Sequence, residues 1–291
     1  MSQANPKILV TAAGGQLGRL VLAQLLKSVP ADRIVAGARH PDSLKEFAAR
    51  GVTVRAADYG KPATLDAALA GIDRFLLISS NSVGARASEH KNAIDAAKRA
   101  GVSLLAYTSI LRCDTTPIAI GDEHKITEAA LKASGVPHVL LRNGWYTENY
   151  TGAIQAILAH NAVVGSSGNG KVSGAARADY AAAAAAVLTA SENQAGKVYE
   201  LAGDEAFTMA ELAAEIARQS GKPIAYNDVP EAVYAGILTG AGLPEGFAKL
   251  LAQSSTVTKD GALFDDSHTM SKLIGRKTTP MKDVVAAALK V

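Results

Sequence analysis

Cysteine is almost absent from this chain of 291 residues, and Cys113 stands alone. A lone thiol excludes a disulfide framework and a cysteine-based zinc site, and it suits a reducing cytoplasm. Histidine does not replace it: the six histidines form no i, i+4 pair and no helical His-Glu-x-x-His motif, so no metal is expected. Blocks of like charge are missing as well. Thirty lysines and arginines oppose 27 aspartates and glutamates, a net +3 without a concentrated patch, so nucleic acid is not an expected partner. No apolar run approaches the roughly 20 residues of a membrane helix, and even Ala181 to Leu188 is short and mostly alanine. Met1 to Pro6 lacks the basic start and apolar core of a signal peptide. The expectation is a soluble cytoplasmic chain with no membrane partner, its oligomeric state left open.

What is present is a globular balance, with 48% hydrophobic and 20% charged residues. At roughly 150 residues per domain the length suits one large domain or two ordinary ones. Such a chain buries about three quarters of the surface it exposes when unfolded, so it needs no covalent staple.

Two hydrophobic periods alternate through the first half. Short apolar runs at Lys7–Val10, Arg33–Ala38, Val52–Ala56, Phe75–Ser79, Ser103–Thr108 and His138–Leu141 read as strands. Between them Gln16–Ser28, Asp42–Arg50, Pro62–Ala70, Arg86–Ala100 and Asp122–Ala133 read as helices. Ser43 and Glu46 have capping-box spacing, and Gly51, Gly71, Gly101 and Gly135 stand where helices should stop. Strands built of continuous apolar residues and separated by helices predict a parallel, doubly wound sheet covered on both faces.

The second half loses this rhythm. Val163–Gly165, Gly168-Asn169-Gly170 and Lys171–Ser173 read as a hairpin, and Asp179–Ala190 as a helix whose alanine run packs closely on a neighbour. Lys197–Ala202 and Ile224–Tyr226 read as strands, with Thr208 capping a helix to Gln219 and mostly helical segments beyond. The predicted division is a dinucleotide-binding domain over 1–150 and a smaller, mainly helical α/β substrate or lid region over 151–291, parts of which can rejoin the sheet.

The first strand runs into Thr11-Ala12-Ala13-Gly14-Gly15-Gln16-Leu17-Gly18. Strand, glycine turn and immediate helix are what a pyrophosphate needs, because glycines admit close backbone and a helix N-terminus offers unpaired N–H groups. Ala12 replaces the expected first glycine and crowds the turn by a methyl group. The second strand ends Gly37-Ala38-Arg39 with no carboxylate before Asp42. A carboxylate there would take the ribose hydroxyls of NAD, whereas the fork of Arg39 suits a 2′-phosphate, so NADPH is favoured over NADH. Asp58-Tyr59, Ser79-Ser80-Asn81 and Thr108-Ser109 follow further strands, where ligands of open sheets sit. Asp58 suits either the adenine amino group or a helix cap; the others suit ribose and nicotinamide or ordinary turn chemistry. The frame is of the Rossmann type.

Thr11–Gly18, Ser79-Ser80, Tyr107-Thr108-Ser109 and Leu141-Arg142-Asn143-Gly144-Trp145-Tyr146 resemble the NmrA-like branch of the atypical short-chain dehydrogenases. The likeness continues through Arg177-Ala178-Asp179-Tyr180, Lys197–Gly203 and Leu263–Ser267, and it is nearest to the bacterial NAD(P)H:quinone oxidoreductases. It implies that Ala12 to Leu17 face the pyrophosphate, Arg39 the 2′-phosphate, Asn81 the middle of the cofactor, and Asn143, Gly144, Trp145, Tyr146 and Glu148 its nicotinamide end.

Typical short-chain dehydrogenases carry Tyr-x-x-x-Lys for proton transfer. None of the eight tyrosines here has lysine four residues on, and alignment through Glu128 puts Ile120 and His124 at the dyad positions. Reducing a ketone creates a basic alkoxide that needs a positioned acid. Reducing a quinone leaves a phenolate-like oxygen of pKa about 10, which water can protonate. The reading is therefore flavin-free, NADPH-dependent reduction of a small aromatic quinone-like acceptor. Its rivals are a non-catalytic redox sensor and a reductase of triarylmethane dyes or enones.

Trp145, Tyr146 and Tyr150 form either a stacking wall for a flat ring or ordinary core packing, with Phe264 and Phe247 as candidates for the far side. His124 follows Asp122-Glu123, which would raise its pKa and make it a candidate proton relay; the alternative is a plain helix-face histidine. Cys113 has no evident activating base, and Arg142 suits either backbone carbonyls or an anion.

Overall fold

The computed structural model describes residues 6–290; the polar lead Met1–Asn5 and Val291 lie outside the described residues. The alternation expected of the first half appears as β1 (Ile8–Val10), α1 (Gln16–Leu25), β2 (Ile34–Ala38), α2 (Lys45–Ala48), β3 (Thr53–Ala56), α3 (Pro62–Leu69), β4 (Arg74–Leu77), α4 (Arg86–Ala100), β5 (Leu104–Ile110), α5 (Gly121–Ser134) and β6 (His138–Asn143). Then come α6 (Glu148–Thr151), α7 (Ile154–His160), β7 (Ala162–Gly165), α8 (Arg177–Thr189), β8 (Val198–Leu201), α9 (Met209–Ser220), β9 (Ala225–Asp228), α10 (Glu231–Gly240), α11 (Glu245–Thr256), α12 (Thr269–Ile274) and α13 (Met281–Ala288).

The chain forms two compact units. One takes the described residues up to 113, with 122–143 and 177–200, so α8 and most of β8 return to it from the C-terminal half; the other takes 114–121, 144–176 and the described residues from 201 on.

The first unit is built on a seven-stranded sheet of order β3-β2-β1-β4-β5-β6-β8. Its first six strands are parallel. Every residue of β2 and β5 is buried, the mark of strands covered on both faces. Side chains of a strand alternate between faces. Leu9, Val35, Phe75, Leu77, Leu105 and Tyr107 meet Leu65, Ile94 and Leu131 from α3, α4 and α5 in one core. On the other face α1 packs against α8, whose alanine run permits the close approach. Chain order reverses at β1, with β2 on one side and β4 on the other. That reversal opens a crevice at the carboxyl ends of the strands.

Gly51, Gly71, Gly101 and Gly135 all have positive φ, so helices stop where the glycines predict. The capping box at Ser43 and Glu46 does not form. Ser43 Oγ donates to the His40 carbonyl at 2.7 Å and Glu46 pairs with Arg19, leaving a 3₁₀ turn at Pro41–Leu44 before the short α2.

In the second unit the predicted hairpin is also absent. β7 pairs in parallel with β9, while Val172 forms an isolated antiparallel bridge with Phe207. The cause lies in the intervening glycines. Gly168 has φ +50°, and Gly170 packs so tightly on Thr258 that a Cβ there would lie 2.3 Å from its carbonyl oxygen. The segment is thereby turned onto residues 258–259 instead of back along β7. The expected capping of α9 does form: Thr208 and Glu211 make both bonds of a capping box.

Candidate functional site

β1 ends against its neighbours, with Thr11 N–H donating to the Leu76 carbonyl at 3.1 Å and Ala13 N–H to that of Gly37 at 3.0 Å. Between them Ala12 takes φ +49°, the left-handed conformation that the glycine it replaces would adopt freely. Gly15 N–H closes a tight turn on the Ala12 carbonyl at 3.0 Å, and α1 starts at once. Gly18 explains the rest of the pattern: a Cβ there would lie 2.5 Å from Ala12 O and 2.6 Å from Ala13 Cα. Only a bare glycine lets α1 begin this close to the strand.

The turn borders a cavity of about 500 Å³ in the first unit. Of the sequence-predicted residues, Ala12, Gly14, Gly15, Gln16, Leu17, Gly18, Arg39, Asp58, Tyr59, Ser79, Ser80 and Asn81 line it. No side chain caps the N-terminus of α1 and no acid stands in its first turn. Its first N–H groups, which have no partner within the helix, are thus suited to an anion. Arg39 is exposed at the end of β2, as a partner for a phosphate must be. These features fit a dinucleotide.

Thr11, Ala13 and Thr108 do not line the cavity; they are buried behind it. The hydroxyls of Thr11 and Tyr59 lie 2.6 Å apart and also bond the carbonyls of Leu76 and Ile78. Burial holds the Tyr59 phenol well above its ordinary pKa. Thr108 Oγ1 accepts from Ser79 N–H at 2.8 Å. Asp58 Oδ1 accepts from Gly60 N–H at 3.0 Å, and its other oxygen faces Lys61 at 3.6 Å. These groups tie β1, β3, β4 and β5 into a rigid floor.

Sequence reasoning missed His40, Ser43, Ser82 and Glu89, all of which line the cavity. His40 adjoins Arg39 and was within reach of the same strand-end argument. Ser43 has the spacing of a helix cap, and Glu89 looks like any acid in the first turn of an amphipathic helix.

His124 is not the proton relay its acidic neighbours suggested. It is 5% exposed, its Nδ1 lies 2.7 Å from the Tyr107 hydroxyl, and burial reinforced by Arg86 brings its pKa down to about 3. Asp122 is solvent-exposed, and Glu123 is turned to Gly84 N–H and Arg86, so neither acid sustains a charge on the ring. Burial likewise pushes the Cys113 thiol up to about 12, which leaves it an unreactive packed group. Arg142 meets carboxylates: Glu128 at 2.6 Å and Glu200 at 3.0 Å, in a buried cluster that Ser109 joins through Glu128.

Asn143 ends β6 in the first unit, with its side-chain oxygen buried and without a partner among the described residues. Gly144, Trp145, Tyr146, Glu148, Tyr150 and Phe264 belong to the second unit. There Tyr146 bridges Ala175, and Tyr150 meets Phe207 edge-on with ring centroids 6.2 Å apart. Burial raises the Tyr150 phenol, and its contact with Phe207 makes this ring a packing element of its unit. Trp145 is half-buried, whereas Phe264 and Phe247 are partly exposed, at 37% and 44%. Among the described residues no cluster of histidine, cysteine and carboxylate side chains is arranged to hold a metal, and no helix is long and apolar enough to cross a membrane.

The NmrA-like family matches residues 4–285. The chain is 50% identical to Quinone oxidoreductase 2 of Escherichia coli over 284 residues, covering 98% of this chain and 99% of that one. The crystal structure of the Escherichia coli NADPH-dependent quinone oxidoreductase complexed with NADPH superposes with a TM-score of 0.94, covering 97% of this chain and 99% of that one at 50% identity. The triphenylmethane reductase of Citrobacter sp. complexed with NADP(H) gives a TM-score of 0.91 at 35% identity, covering 97% and 99%. With a family match spanning nearly every residue and half identity over almost the full length, the chain belongs to the NmrA-like family.

Proposed function

We propose that this protein is a flavin-free, NADPH-dependent oxidoreductase of quinone-like acceptors. The observation that carries the reading is the strand-end cavity itself: an uncapped helix N-terminus beside a glycine turn, with Arg39 and no carboxylate at the end of β2. The Escherichia coli relative, described as an NADPH-dependent quinone oxidoreductase complexed with NADPH, gives it further support.

In this reading Gly14, Gly15, Gln16, Leu17 and Gly18 receive the pyrophosphate on backbone N–H groups, while Arg39, flanked by His40 and Ser43, takes the 2′-phosphate. Ser79, Ser80 and Asn81 border the middle of the cofactor, and the buried side-chain oxygen of Asn143 is an acceptor for a donor on its nicotinamide half. Family likeness alone assigns Gly144, Trp145, Tyr146 and Glu148, of the second unit, to the nicotinamide, and it leaves Trp145, Tyr146 and Phe264 as acceptor candidates, whereas Tyr150 packs within its unit. Bound NADPH supplies a hydride, two electrons with one proton, to the quinone, and a second proton from water completes the hydroquinone. Catalysis by this chain then rests on positioning the nicotinamide against the acceptor. His124 and Tyr107 are neutral and bonded to each other, and neither supplies that proton. The buried, unbridged Cys113 suits a reducing cytoplasm.

The lack of a proton donor also suits a redox sensor that binds the cofactor without turnover. Incubating the protein with NADPH and benzoquinone separates the two. The enzyme consumes NADPH faster than the spontaneous reaction, whereas a sensor binds it and leaves the rate unchanged. A triarylmethane dye or an enone at the same cofactor concentration tests the remaining acceptor classes.

A further inference from the structure

Glu89 lines the cavity from the first turn of α4, on the side of the glycine turn opposite Arg39. Its placement is fixed by a dense set of bonds around Ser80. Ser80 N–H donates to His90 Nε2 at 2.9 Å, the Ser80 carbonyl accepts from Arg86 Nε at 2.7 Å, and Ser80 Oγ accepts from Ser82 N–H at 3.0 Å. The one hydrogen left to the Ser80 hydroxyl is donated to Glu89 Oε2. His90 is itself locked: with Nε2 accepting, Nδ1 carries the proton and donates to Thr127 Oγ1 at 3.0 Å, and Thr127 passes its own hydrogen to the Glu123 carbonyl. Glu89 is therefore anchored through one oxygen while no ion pair balances its charge among the described residues. Arg86, three residues earlier on the same helix, is directed to Glu123 at 3.1 Å. The other acid lining the cavity, Asp58, has Lys61 beside it.

A lone carboxylate is unexpected in a cavity built for phosphates. Sheet order resolves this, because β2 with Arg39 and β4 with the Ser80 turn lie on opposite sides of β1. A dinucleotide laid across the glycine turn with its adenosine half at Arg39 brings its nicotinamide half to the β4 side. That half presents ribose hydroxyls, which donate, and a ring that is neutral when reduced and cationic when oxidised. We propose that Glu89 is a further cofactor-binding residue, accepting hydroxyls of the nicotinamide-side ribose and favouring the oxidised cofactor over the reduced one. The proposal rests on the dinucleotide reading given above. It makes the occupied state of the protein responsive to the NADP⁺/NADPH ratio and predicts product inhibition by NADP⁺.

The test compares dissociation constants of NADP⁺ and NADPH, by calorimetry and nicotinamide fluorescence, for the wild type and Glu89→Gln. Glutamine keeps the size and can still accept from Ser80, so fold is checked by the melting temperature without cofactor. The expected result is a loss of NADP⁺ affinity about tenfold greater than the loss for NADPH, from removal of one charge near the ring. An unchanged ratio of the two constants overturns the proposal and leaves the dinucleotide site standing. Failure of the wild type to bind either cofactor overturns both. If the variant does not fold, the wild type alone decides: added salt should narrow the difference between NADP⁺ and NADPH, and a ratio indifferent to salt overturns the proposal.

Discussion

The hydroxyl of Tyr107 and Nδ1 of His124 lie 2.7 Å apart in the interior of the first unit, joining β5 to α5. The histidine that alignment through Glu128 sets at one dyad position is thus half of a buried, neutral pair. Burial, with Arg86 as the second cause, brings both His124 and the nearby His90 from 6.5 down to about 3. The unfolded chain takes up protons at these rings below pH 6.5, and the folded chain does not until about pH 3. Stability should therefore fall as pH drops through this window, by about 2 kcal/mol per histidine at pH 5. Urea unfolding at pH 7 and pH 5 measures the loss, and His124→Gln should remove about half of it. Equal stability at both values would mean that the rings are accessible and titrate normally.

Arg39→Ala should weaken NADPH by about tenfold to a hundredfold, the worth of one or two charge-assisted hydrogen bonds to phosphate. NADH, which lacks the 2′-phosphate, should lose little. The ratio of kcat/KM for the two cofactors reads this out, and parallel losses would remove Arg39 as the selector.

The glycine turn makes opposite predictions at two positions. Gly18→Ala forces a methyl group to 2.5 Å from Ala12 O, so stability should fall by about 1–3 kcal/mol and cofactor binding should fail. Ala12→Gly relieves a left-handed alanine worth about 1 kcal/mol, but it frees the unfolded chain by about 0.4–1 kcal/mol. Stability should then change little and affinity should be kept. Thermal melts with and without NADPH check both variants.

Arg142 is held between Glu128 and Glu200 with 7% of its surface exposed. Arg142→Met leaves a buried carboxylate unpaired and should cost about 3–5 kcal/mol. Adding Glu128→Gln should restore part of the loss, because a neutral amide is easier to bury. Denaturant titrations of the two single variants and the double variant test this coupling.

The sheet was legible because its signals are local: continuous apolar runs for β2 and β5, and glycines at the ends of α3 and α4. The glycine turn was legible for the same reason. The hairpin after β7 was not, because its fate depends on Gly170 packing against Thr258, far along the chain. Nor was the state of His124: adjacent acids are visible in sequence, whereas the burial and the Arg86 charge that outweigh them come from other elements. Thr11 and Tyr59 were drawn to the cofactor by their strand-end positions, but their hydroxyls bond each other and neighbouring strands. Glu89 carries no sequence signal, since only the sheet order brings α4 to the cavity.

The most direct measurement follows NADPH and hydroquinone together in a flavin-free mixture of purified protein and benzoquinone. The account predicts protein-dependent turnover with one hydroquinone formed for each NADPH consumed. No NADPH consumption above the spontaneous rate would contradict it.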